Sequence, residues 1–172
     1  MAYNYMRSPL ISMAQETPLG GHTGSTGQVL VYNKQIATAV DKTIEVGDIV
    51  FWRVRFSRMS GNAGNVTMFT GLRNVSGIGT VVGRAALITT QGGATLERTL
   101  PVRSNTEVTT WLPTTTNGFL DDGAWNVAFT AAPITIPDIT GDLWFWVALQ
   151  NTNAADVSYI DYVELVVKKK NI

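Results

Sequence analysis

The alternation between Asp48 and Arg58 constrains this chain more than any other feature. Val50, Trp52, Val54 and Phe56 recur at every second position, with Arg53, Arg55 and Ser57 between them. Only an extended strand puts such residues on opposite faces, one toward a core and one toward water. The same period returns near the end of the chain. Trp125, Val127 and Phe129 share a face, as do Leu143, Phe145, Val147 and Leu149, and the run Val157 to Val167 (VSYIDYVELVV) closes the set. Shorter β-branched stretches occupy 28–32, 35–40, 65–73, 80–90, 94–103 and 106–112; in 65–73, Val66, Met68 and Leu72 fall on one side. Turn formers separate them: Gly47-Asp48, Ser60-Gly61-Asn62, Gln91-Gly92-Gly93, Asn117-Gly118, Asp122-Gly123 and Gly141-Asp142. No helical period extends beyond two turns. About nine strands, mostly antiparallel, predict an all-β chain: an antiparallel two-sheet jelly-roll sandwich with an irregular N-terminal arm.

Residues 1–40 read differently from the rest. Met1 to Leu19 mixes Tyr3, Tyr5, Met6, Leu10, Ile11 and Met13 without a period, and Gly20 to Gly27 (GGHTGSTG) cannot nucleate a helix. The sequence therefore divides into an extended N-terminal arm over 1–40 and a sandwich over 41–172. An irregular, moderately apolar arm is expected to be ordered against another surface.

Composition narrows the function classes. A chain of 172 residues suits one domain, and 45% hydrophobic residues supply its core. Thirteen basic and thirteen acidic residues cancel, and charged residues are only 15% of the chain, against about 25% in an average globular protein. Such a surface argues against nucleic acid as a partner, since that binding rests on phosphate neutralisation. It also offers little repulsion between copies, which agrees equally with a partner-covered surface and with one rich in Thr, Asn and Gly. Cysteine is absent, which excludes disulfides, thiolate metal ligands and a thiol nucleophile. Met1 to Ser12 has one positive charge and no apolar run, so a signal peptide is not expected, and no stretch nears the roughly 20 apolar residues of a membrane span. With no secretion signal, the Asn-x-Ser/Thr matches at Asn65 and Asn74 are not read as glycosylation sites.

Candidate catalytic residues are few. His22 is the only histidine and lies in the glycine-rich arm, a poor place to preorganise a triad or a metal site. Asp121 and Asp122 are neighbours before Gly123, where a turn is expected; a glycosidase needs carboxylates set across a cleft. Glu97, Glu107 and Glu164 are scattered. No enzyme is predicted, although a carboxylate-pair hydrolase stays open at this point.

Candidate binding residues are better defined. Trp144 and Trp146 fall on the face opposite Leu143 and Phe145. Exposed, they would form a stacking platform for sugar rings; the other readings are burial on both faces or a subunit interface, where Trp is enriched. Arg53, Arg55 and Arg58, with Arg73 as a further neighbour, could form a basic stripe for an acidic partner, or an ordinary solvated face. Lys168, Lys169 and Lys170 follow the last strand and read as a solubilising tail.

Three segments together carry a resemblance: Trp125 to Thr130, Leu143 to Trp146, and Tyr159-Ile160-Asp161-Tyr162-Val163-Glu164-Leu165. They resemble the closing strands of carbohydrate-binding-module-type jelly rolls, the galactose-binding-like group, and Gly47 to Val54 resembles that group's early core strand. The resemblance spans roughly residues 43–167. It implies a β-sandwich of the kind used as sugar-binding appendages of glycosidases and as building blocks of bacteriophage virions, in tail fibres and capsid decoration. It also implies a structural calcium ligand at Asp161, a site that needs six to eight oxygens from several segments. Taken with the residues above, the expectation is a non-enzymatic protein of the virion, assembled in the host cytoplasm, either a capsid decoration (cement) protein or a fibre. Its expected partners are further copies of itself, as a trimer, and the major capsid or another virion protein. The alternative is a glycan-binding module of an adhesin or tail fibre.

Overall fold

The computed structural model describes residues 10–16, 20–41, 43–60, 64–87, 92–113 and 129–170. Among these, eleven strands occur and no helix: β1 (Leu10–Glu16), β2 (Gly20–His22), β3 (Val29–Ala37), β4 (Ile49–Ser60), β5 (Val66–Arg73), β6 (Thr80–Leu87), β7 (Gly93–Ser104), β8 (Glu107–Pro113), β9 (Phe129–Thr135), β10 (Leu143–Asn151) and β11 (Val157–Lys168). The larger sheet runs β1-β11-β4-β7-β8-β9, with β2 also paired to β11; the smaller runs β3-β10-β5-β6. Every pairing is antiparallel. The chain steps from one sheet to the other as it advances, so β10 is inserted between β3 and β5, and β11 between β4 and the N-terminal strands. This is the two-sheet jelly-roll sandwich that the alternation predicts.

Part of the segment expected as an arm over 1–40 is paired into the two sheets. Leu10 to Glu16 pairs with Lys168 to Val163, and Gly20 to His22 continues along the same edge opposite Ile160 to Ser158. β1 and β2 thus both lie along the same edge of β11. Farther on, β3 is an edge strand of the smaller sheet, paired with β10. The aperiodic composition of the arm has a structural counterpart, because a register shift between Ser12 and Ala14 breaks strict alternation. Trp125 to Ala128 and the Asp121-Asp122 pair lie outside the described residues.

The core lies between the sheets. On β4, Val50, Trp52, Val54 and Phe56 are buried while Arg53 and Arg55 are exposed, as the period demands. From the opposite sheet, Leu143, Phe145, Val147 and Leu149 of β10 meet them. The Trp52 and Phe145 rings stand 5.0 Å apart and tilted, and Tyr32 meets Phe145 edge-on at 6.1 Å. The indole N–H of Trp52 donates to Thr70 Oγ1 at 3.2 Å, so the largest core side chain leaves no polar group unmet.

The lysine run is not a free tail. Asp48, fully buried, accepts from Lys169 Nζ at 2.6 Å, from the Lys170 amide at 2.9 Å and from the Glu45 amide at 2.8 Å. Lys170 Nζ donates to the Val46 carbonyl oxygen at 3.2 Å. The end of β11 is thereby fastened to the turn that starts β4.

Candidate functional site

Parity assigns Trp144 and Trp146 to the outer face of the smaller sheet, and pairing supplies their neighbours. One row across that face holds Gln35 on β3, Trp144 on β10 and Arg73 on β5; the next holds Asn33, Trp146 and Gly71. Trp144 is half-buried, and Trp146 is 0% exposed. The indole of Trp146 reaches over β5, where only glycine fits. A Cβ at Gly71 would overlap the Thr80 carbonyl oxygen and stand 2.9 Å from Trp146 Cζ2.

The β5–β6 connection covers this row. Ser76 is hydrogen-bonded to the Asn33 side-chain amide on β3. The connection starts on β5 and ends on β6, and β10 separates both from β3, so Ser76 must reach over the outer face of β10 to meet Asn33. Arg73 holds the near end, its Nη1 donating to the Ile78 carbonyl oxygen at 2.5 Å. Gly77, at φ +130°, and Gly79 wrap the Arg73 side chain so closely that a Cβ at either would lie 2.7 Å from it. Two polar atoms beneath the connection, Trp146 Nε1 and Asn33 Oδ1, are buried without a hydrogen-bond partner. Farther along the face, the Arg84 guanidinium stacks 5.4 Å from the Phe69 ring centroid.

The burial of Trp146 removes it from a ready-made sugar platform. It leaves Trp144 as the indole of that pair reachable from solvent. Sequence reasoning missed Asn33, Gln35 and Ser76 as neighbours of the indoles, and set Arg73 beside the arginine stripe instead. Asn33, Gln35 and Arg73 belong to no motif and reach the two indoles only through cross-strand register, while Ser76, read only as part of the Asn-x-Ser match at Asn74, comes to them on the β5–β6 connection.

The arginines serve the larger sheet. Arg53 bonds Glu97 on β7 and reaches Glu164 on β11 at 3.4 Å. The Glu97 hydrogen bond raises the Arg53 pKa above its ordinary value. Arg55 Nε lies 3.8 Å from Asp161 Oδ2. Arg58 does not share their face; its guanidinium bonds the Gly64 carbonyl oxygen. The three are therefore not one basic stripe, and the exposed pair faces carboxylates on neighbouring strands.

Asp161 accepts from Ser57 Oγ at 2.9 Å, which together with Arg55 occupies both its oxygens. No group of three or more His, Asp or Glu residues suited to a metal ion occurs among the described residues. Asp161, the residue for which calcium ligation is implied, thus faces the Ser57 hydroxyl and the Arg55 guanidinium. His22 is 3% exposed on the edge strand, and its carbonyl oxygen accepts from Asn151 Nδ2 at 3.2 Å. It borders a buried polar node in which Ser158 Oγ donates to Asn151 Oδ1 at 2.8 Å and Asp156 Oδ2 accepts from the Gly64 amide at 3.1 Å.

No protein-family model matches the chain, and no curated protein matches it. Among solved structures it is similar to the CBM2 module of the evolved Dit protein of Lactobacillus casei BL23 phage J-1. The identity is 10%, over 91% of this chain and 77% of that one, with a TM-score of 0.41. At that identity and TM-score the similarity fixes neither a family nor an activity.

Proposed function

We propose that this protein is a non-enzymatic structural component of a bacteriophage particle, a capsid decoration protein or a fibre, acting as a homotrimer bound to another virion protein. The observation that carries the non-enzymatic reading is the employment of its charged side chains. Glu97, Glu164 and Asp161 join strands across the larger sheet, and Asp48 ties the start of β4 to the end of β11. Carboxylates held in strand-to-strand contacts are poorly placed for acid–base chemistry. The phage assignment rests on the sequence resemblance of the closing strands. A net charge of zero favours close packing of copies, and many copies on one particle would add their contacts by avidity.

Light scattering after size exclusion tests the assembly. A particle of about three times 18.7 kDa is the expected result; a monomer at micromolar concentration overturns the trimer.

A second reading, a glycan-binding module, is favoured by one row of residues. Trp144 is half-buried between Gln35 and Arg73, an aromatic surface flanked by an amide and a guanidinium. Ligand sites combine an apolar floor with a few convergent polar groups in this way. Trp144→Ala is expected to abolish sugar binding while leaving the fold intact. Retained binding would remove this reading.

A further inference from the structure

The burial of Trp146 is unusual for its position. It lies on the face of the smaller sheet turned away from the core, yet it is as inaccessible as Trp52 inside it. Its indole N–H is buried without a partner, although indole nitrogens usually find one when buried. Directly opposite on β3, Asn33 has one polar atom of its amide bonded to Ser76 and the other buried without a partner. That statement holds whichever way the amide is turned. Buried polar groups are normally satisfied, so two orphans in one register row mark a place where hydrogen-bonding partners are missing.

The cover over this row is slight. Six residues, 74–79, form it, with Arg73 bonded to Ile78 near the strands and Ser76 in the middle bonded to Asn33 across β10. Val75 at the crest is 48% exposed, so the connection is not itself packed into the body there. Gly77 and Gly79 carry no side chain that would lock the connection against Arg73. Beyond the cover, the adjoining row of Gln35, Trp144 and Arg73 continues the same surface.

We propose that residues 74–79 are a lid, and that the floor beneath it, Trp146 with Asn33, is a binding subsite for a pyranose ring, continuous with Trp144. Lifting Ser76 frees the Asn33 amide and the indole of Trp146 together. A pyranose carries an apolar face suited to the indole and hydroxyls that both donate and accept, which suits an orphan N–H beside an orphan amide atom. The inference rests on the glycan-binding reading and adds a second, gated indole to it. A lid whose tip is held by the Ser76–Asn33 hydrogen bond lowers apparent affinity by the fraction of molecules that are open.

The test follows the indole Nε1–H resonances by nuclear magnetic resonance in the full-length protein, with Trp146 assigned through Trp146→Phe. Ser76→Ala is expected to speed hydrogen exchange at the Trp146 indole by about 3- to 10-fold, the range for loss of one net hydrogen bond. The methyl glycosides of glucose, galactose and N-acetylglucosamine are then titrated. At least one is expected to shift both the Trp144 and Trp146 resonances, and to bind Ser76→Ala more tightly by a similar factor. Exchange at Trp146 that ignores Ser76→Ala overturns the lid. A sugar that shifts Trp144 alone overturns the subsite while leaving the glycan reading standing. No shift at either indole, with Trp146 exchanging faster in the variant, overturns the pyranose occupant and the glycan reading with it.

Discussion

Asp48 shows how one residue can hold distant parts of this chain. Burial alone would raise its pKa, but hydrogen bonds from Lys169, the Lys170 amide and the Glu45 amide bring it below the ordinary 3.8. A carboxylate whose folded pKa lies below its unfolded value stabilises the protein above the ordinary carboxylate range. That contribution is lost as pH falls through the folded value. Asp48→Asn is expected to cost about 1–3 kcal/mol at pH 7, measured by urea unfolding. The variant should also lose part of the wild type's decline in stability below about pH 4. An unchanged midpoint would show that the lysine contacts do not persist in solution. Gly71→Ala should destabilise by about 1–3 kcal/mol or more, because the added methyl meets the Thr80 backbone as well as the Trp146 ring. A circular-dichroism melt reads that directly. The sequence showed Trp146 on the face away from the core but not its cover, which arises from a loop reaching over an intervening strand. Nor did it show the role of Lys169, whose partner is 121 positions away and leaves no local signal.

At the scale of elements, period-two patterns were legible where both faces of a strand have distinct environments. β4 reads cleanly because Trp52 and Phe56 face the core while Arg53 and Arg55 face solvent. β10 carried a mixed signal because Trp146 and Ala148 are buried on its outer face as well. The edge formed by β1 and β2 was least legible: its pairing comes from β11, not from an alternation of its own. Deleting residues 1–22 removes that edge and bares the backbone of β11, a template for aggregation. We expect the truncated protein to melt roughly 10 °C lower or to precipitate on heating. Deleting 1–40 removes β3 as well and should prevent folding altogether. An equally stable protein without residues 1–22 would show that this edge is not held by the sandwich.

For the whole molecule, the topology links its beginning to its end. β11 lies between the N-terminal strands and β4, so the larger sheet is completed only when the last strand is in place. Ending the chain at Asp156 should therefore leave it unfolded, with no cooperative thermal transition. The sandwich class was visible in the sequence because alternation and turn residues repeat along most of its length. The sharing of strands between sheets was not, since it depends on which strands insert between which.

The proposal that this protein belongs to a phage particle is met most directly by fractionating a lysate in which the phage and this protein are produced together. Particles are banded on a density gradient, washed at high salt and probed by mass spectrometry. The expected result is the protein in the particle band, at a fixed ratio to a capsid or tail protein across preparations. Recovery only in the soluble fractions above the band would contradict a structural role in the virion.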